Sequence, residues 1–269
     1  MAMAEDMVVP GWSSVTADQM KEFWEKVSRK QIGLRNFQNF LDNPNKYADV
    51  PAGLTSISKA RRILGSKKVI PVTLFNHIWG TGYDEAPIMY LEEDLQAFYY
   101  RNKVKDEDWR LIYYSGRSIR QLNEIIGTDK DHQPCFYKYK QAWYLDKEQD
   151  FWADKTPDAG YYLINCMGLF PSLKYQDQER EIAKLGNNLE RTDPHIFTEA
   201  VMSIFKLTGE RIAQDWLHRS AISTAIGGRV YLSFDTGAWN VGDGGDAWEY
   251  TSDERSRVSV TQKQWCRNT

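Results

Sequence analysis

The first periodic stretch begins at Thr16, which with Gln19 forms a capping-box pair ahead of Met20, Phe23, Trp24 and Val27, four apolar positions on one helical face. Leu34, Phe37, Phe40 and Leu41 repeat the helical spacing and "DNPNKY" ends it, so the pattern predicts an αα-hairpin. A third helix is expected from about Ile57 to Leu64, closed by Gly65. Together these make a helical lead-in over residues 1–66.

From residue 68 the period changes. "KKVIPVTLF" reads as a strand and "NHIWGTGYDEAP" as a loop rich in turn residues. A helix from about Leu91 to Lys103 comes next, then the strand "WRLIYYS". The helix "SIRQLNEIIG" succeeds it, with Ser118 and Gln121 as its capping box, and the aromatic run "CFYKYKQAWYL" reads as a further strand. Residues 67–157 are thus a mixed α/β region, whose boundary with the C-terminal part the pattern leaves open.

The last part, 158–269, opens with "AGYYLINCMG", a buried strand, and a polar helix from about Tyr175 to Leu185. "TDPHIFTEAVMSIFKLTGE" is the clearest helix of the chain. Asp193 is its N-cap and Pro194 its first residue, Phe197, Val201 and Ile204 share a face, and Gly209 lies just past its end. Beyond Arg211 helical periodicity disappears. "GGRVYLSFD" alternates, with Val230, Leu232 and Phe234 on one face and Tyr231, Ser233 and Asp235 on the other; "SRVSVTQ" alternates similarly. The expected class is α+β, without internal repeats or low-complexity tracts.

Composition narrows the function. Among 269 residues, 42% are hydrophobic, enough for a core, and 34 Lys and Arg nearly balance 37 Asp and Glu, so the electrostatic footprint of nucleic-acid binding is missing. Cys135, Cys166 and Cys266 are odd in number and lack CxxC spacing, which argues against a disulfide framework or a zinc site. No stretch approaches the roughly 18 apolar residues of a membrane span, and "MAMAEDMVVPGW" lacks the features of a signal peptide. The expectation is a soluble protein, cytoplasmic or carried in a phage or viral particle.

Catalytic motifs are weak. The "GTG" of Gly80 to Gly82 resembles the start of a dinucleotide fingerprint, but Glu85 holds the place of the third glycine and Pro87 intervenes. "YSGRSIRQ" offers Arg117 and Arg120 near a helix start, where an anion could sit or the helix could simply be capped. His77, His132, His195 and His218 lie far apart without ligand spacing, and no serine or cysteine carries a nucleophile signature. No cofactor is called for. In "DGGDAWE", Asp243, Asp246 and Glu249 are hard oxygen ligands suited to Ca²⁺, yet their spacing departs from the EF-hand order, and a glycine-permitted loop is the plainer reading.

One reading accounts for more of the composition. Along "RVYLSFDTGAWNVGDGGDAWEY" the alternating apolar residues look like a scaffold. The Tyr, Ser, Asp, Thr, Asn and Gly between them are the residue types of adaptable binding surfaces.

From about residue 158 to 262 the order of features resembles a C-type-lectin fold: "GYYLIN", two helices, "DWLHRS", "GGRVYLSFD", a glycine-rich stretch and a closing "SRVSV". Within that fold it looks most like the variable proteins of diversity-generating retroelements, although the fold's frequent "GFR" ending is replaced by "RSRVSV". The resemblance implies a non-catalytic receptor whose hypervariable positions bind a protein or cell-surface ligand. The matching positions are Tyr231, Ser233, Asp235, Thr236, Asn240, Asp243 and Asp246, with the aromatics Trp239, Trp248 and Tyr250 and, at the approach, His218 and Ser220. Oligomerisation is left open. The alternatives on the same fold are an enzyme of the formylglycine-generating type, which uses paired cysteines near the C-terminus, and a calcium-dependent sugar-binding module.

Overall fold

The computed structural model describes Glu25 and residues 55–186, 188–235, 237–244 and 255–262. The chain divides into two compact units, Met1–Ala52 and Gly53–Thr269. The expected N-terminal hairpin lies outside the described residues. Ile57–Leu64 is the helix α1, with the Ser56 side chain accepting from the Lys59 amide, 3.3 Å, and Gly65 closing it at φ +96°. It belongs to the second unit, where it packs on α3 (Glu92–Val104).

"KKVIPVTLF" does not form one strand. Only Val69–Ile70 (β1) is extended; Pro71 then serves as the N-cap of helix α2, Val72–Trp79, which ends on left-handed Gly80. The reason is local. A short apolar run fits strand and helix equally, and a proline, which has no N–H to lose, suits the entry to a helix. Val72 and Phe75, three apart, are the helix's buried pair. The "GTG" therefore comes after a helix, and no dinucleotide turn is formed.

The remaining elements are β2 (Trp109–Tyr114), α4 (Ile119–Ile126), α5 (Asp150–Ala153), β3 (Gly160–Asn165), α6 (Tyr175–Leu185), β4 (Leu189–Arg191) and α7 (Pro194–Thr208). After them come β5 (Leu217–Ser223), β6 (Arg229–Asp235), β7 (Ala238–Asp243), β8 (Ser256–Arg257) and β9 (Val260–Gln262). The architecture is α+β. One sheet has the order β1-β2-β3-β9-β4 and the other β7-β6-β5-β8. β2 and β3 pair antiparallel from Trp109↔Asn165 to Tyr114↔Gly160, so the middle region and the C-terminal region share one sheet.

Helix α7 packs on β2 of the first sheet and β6 of the second. Every residue from Pro194 to Ile204 is buried, polar ones included. Its polar groups are satisfied by distant partners: the His195 ring accepts from the Ile119 amide and donates to the Trp152 carbonyl, and Glu199 accepts from the Ser115 amide and hydroxyl.

The C-terminal strands link the two sheets: β9 pairs antiparallel with β3 and β4, while β8, three residues earlier, pairs parallel with β5. All of residues 258–262 are consequently buried, and the alternation expected of "SRVSVTQ" is not expressed. The aromatic run 135–145 is likewise not a strand. Phe136 makes one parallel bridge to Trp239, and the Trp143 indole donates to the Val241 carbonyl at 2.8 Å. The segment lies along the outer edge of β7 and occupies hydrogen-bonding groups that an open sheet edge would present.

Candidate functional site

β5, β6 and β7 form an antiparallel meander in which β6 is central, and the sequence alternation of β6 holds. Val230, Leu232 and Phe234 point into the core, while Tyr231, Ser233 and Asp235 turn the other way. β7 adds Asn240, directly opposite Ser233 in the register. These four residues line one concavity of about 390 Å³, whose rim is completed by Asp215, Trp216 and Arg255.

The four differ in how they are held. Asp235 is exposed. The Tyr231 ring lies across Gly242, its register partner, and the phenol is hydrogen-bonded to Asn240; burial pushes its pKa above the ordinary tyrosine value. The Asn240 side-chain oxygen also accepts from the Tyr139 hydroxyl, which ties the face to the segment covering β7. Ser233 is 3% exposed, and its hydroxyl has no hydrogen-bond partner in the protein. A buried hydroxyl without a partner is costly, so its place in the floor of a concavity points to a partner from outside.

Other expected site residues are not on this face. His218 is fully buried, with Nε2 donating to the Thr192 carbonyl and Nδ1 accepting from the Ser259 amide, both at 3.0 Å, and its ring 4.6 Å from that of Phe197. Burial pushes its pKa down to about 3, and the nearby Arg191 charge adds to the shift. It is a neutral structural histidine. Ser220 is also fully buried, its hydroxyl accepting from the Ile222 amide. Both sit on β5, an inner strand between β6 and β8, where a polar side chain survives by bonding backbone groups. Trp239 is core as well, its indole donating to Thr198 and its ring packed against Phe234.

Asp243 stands at the far end of β7, where its carboxylate accepts from Thr224, and it does not line the concavity. Thr236, Asp246, Trp248, Glu249 and Tyr250 lie outside the described residues. Among the described residues no group of three His, Cys, Asp or Glu is arranged to hold a metal ion. Cys135 and Cys166 are buried free thiols, and Cys266 lies outside the described residues.

The anion-binding reading of "YSGRSIRQ" is overturned by the partners of its arginines. Arg120 binds Asp150 and Asp154 and two backbone carbonyls, and Arg117 sits 3.6 Å from the Glu199 carboxylate with its guanidinium against Phe75, Trp79 and Tyr83. The capping box of Ser118 and Gln121 closes the helix start itself.

Sequence reasoning missed Asp215 and Arg255. The chain reaches Asp215 through Ala213, a non-glycine residue at φ +61° whose carbonyl accepts from the Phe234 amide, 2.9 Å. Nothing in the local sequence announces that turn, because alanine is an ordinary residue there. No protein-family model matches the chain, nor does any curated protein or any solved structure. Among the described residues no helix is long and apolar enough to cross a membrane.

Proposed function

We propose that this chain is a ligand-binding protein of receptor type, whose binding face is formed by Tyr231, Ser233, Asp235 and Asn240 on a C-type-lectin-like scaffold, and that a retroelement diversifies that face. One observation carries the proposal. Four of the residues singled out by their type and alternation line one concavity whose floor holds a buried hydroxyl without a protein partner. The scaffold half of the reading is supported by β3 and β9, the first and last strands of the lectin-like stretch, which pair with each other while α6, α7 and the β5–β7 meander lie between them in sequence. Aromatic, amide, hydroxyl and carboxylate groups side by side suit a protein or cell-surface ligand. No step of bond chemistry is required.

The test has two arms. A displayed library randomised at Tyr231, Ser233 and Asp235 is sorted for protease resistance; most members are expected to remain folded, and loss of folding across the library would overturn the adaptable-face reading. Sequencing around the gene is expected to find a reverse transcriptase and a near-identical template repeat, and their absence would remove the retroelement part alone.

A further inference from the structure

A second concavity, also about 390 Å³, adjoins the first, the two sharing Gln214, Asp215 and Trp216. Charged residues of its wall are Asp108, Glu210, Arg211, Asp215 and Arg257. Two of the carboxylates are already engaged: Arg110 bonds Asp108 at 2.6 Å and Glu210 at 2.7 Å, and Lys68 also reaches Asp108. Among the described residues no carboxylate lies within ion-pair distance of Arg211 or Arg257. Arg257 Nε is buried and has no acceptor in the protein. Beyond the carboxylates held by Arg110 and Lys68, the wall thus presents two guanidinium groups against the one carboxylate of Asp215.

Arg257 is held in place by its surroundings. β8 runs parallel to β5 with Arg257 opposite His218, and Gly168 approaches so closely that a Cβ there would stand 3.0 Å from the Arg257 Cβ. A guanidinium with a fixed stem and an unmet buried donor is preorganised for a planar, two-oxygen acceptor. Because Asp108, Glu210 and Asp215 border the same space, a singly charged carboxylate suits it better than a doubly charged phosphate.

We infer that this cavity is a carboxylate-binding subsite centred on Arg257, and that the partner of the adjoining face is a polypeptide presenting an acidic side chain there. The subsite stands on Arg257 alone; that it belongs to the partner's footprint rests on the ligand-binding reading above.

The experiment is an NMR titration of the full chain with two capped tripeptides, acetyl-Gly-Glu-Gly-amide and acetyl-Gly-Gln-Gly-amide, reading the Arg257 Nε–H cross-peak. The glutamyl peptide is expected to shift it saturably, while the glutaminyl peptide binds about tenfold more weakly or not at all. In the variants that lack this cross-peak the indole N–H of Trp216, which lines the same cavity, is read instead: Arg257→Gln removes the discrimination, and Arg257→Lys, which keeps the charge without the fork, retains it only in part. Equal shifts with both peptides, or no saturable shift of the wild-type peak, would overturn the subsite whether or not either variant folds. Arg180→Gln, at an exposed arginine of α6 away from both concavities, is expected to leave the glutamyl titration unchanged; if it abolishes it, the peptide is responding to overall positive charge and the Arg257 assignment fails. A peptide that binds here beside a library that proves intolerant at Tyr231, Ser233 and Asp235 would keep the subsite and sink the adaptable face.

Discussion

Tyr231 and Gly242 stand opposite each other on β6 and β7, and a Cβ on residue 242 would lie 2.0 Å from the Tyr231 Cζ. The glycine's missing side chain is the space in which the tyrosine ring lies. Gly242→Ala, normally mild in a strand, is therefore expected to cost about 1–3 kcal/mol through overpacking. The clash is with one ring, so Gly242→Ala combined with Tyr231→Ala should be more stable than Gly242→Ala alone. Urea denaturation of the two decides it, and a double variant no better than the single would show that the ring is not the obstacle.

Ser233 and Asn240 face each other across the same strands but are tied down differently. Asn240 accepts from Tyr139, whereas the Ser233 hydroxyl bonds nothing in the protein. Asn240→Ala should cost about 1 kcal/mol, the worth of a lost hydrogen bond, whereas Ser233→Ala, which removes an unpaired buried hydroxyl, should stabilise by about 1 kcal/mol. Denaturant midpoints measure both. The reverse ranking would mean that Ser233, and not Asn240, is part of the scaffold.

Gly168 packs beneath Trp216 and Arg257 at φ +74°, with an added Cβ only 2.9 Å from the indole. Alanine there meets both a left-handed backbone and an occupied space, so Gly168→Ala is expected to destabilise by about 2–4 kcal/mol. Thermal unfolding checks it, and a shift of less than a degree or two would mean that Trp216 is free to move.

The elements that could be read from sequence are those whose signals are local. α6 begins and ends where its polar pattern does, α7 has Asp193, Pro194 and Gly209 at its ends, and β6 alternates as its residues do. The elements that escaped depend on contacts far along the chain. "VTLF" is too short for its period to choose between strand and helix, and the aromatic run at 135–145 is shaped by the edge of β7, about a hundred residues later. His218 looks like an approach to a polar surface until Thr192 and Ser259 are seen to satisfy both ring nitrogens. On the face itself, Tyr231, Ser233 and Asp235 were legible from alternation, whereas Asp215 arrives by the Ala213 turn and Arg255 from beyond the glycine-rich stretch.

Glu199 and His218 give the fold opposite responses to pH. Burial raises the Glu199 pKa from 4.5 to about 7, against the pull of Ser115 and Arg117. The folded state therefore holds that proton more tightly than the unfolded chain, and this contribution is present at low pH and lost as pH rises through about 7. The His218 pKa is lowered from 6.5 to about 3, so its contribution is present above 6.5 and lost as pH falls. His195, also lowered by burial, acts in the same direction as His218. The shifts correspond to roughly 3 kcal/mol for Glu199 and roughly 5 kcal/mol for His218 across their windows. Between about pH 4.5 and 6.5 they oppose each other and flatten the wild-type curve. Glu199→Gln should steepen the rise in melting temperature from pH 5 to pH 7, and His218→Gln should shrink it. Melting curves at pH 5, 6, 7 and 8 read both slopes; parallel curves for wild type and Glu199→Gln would show that the buried carboxyl does not titrate in this range.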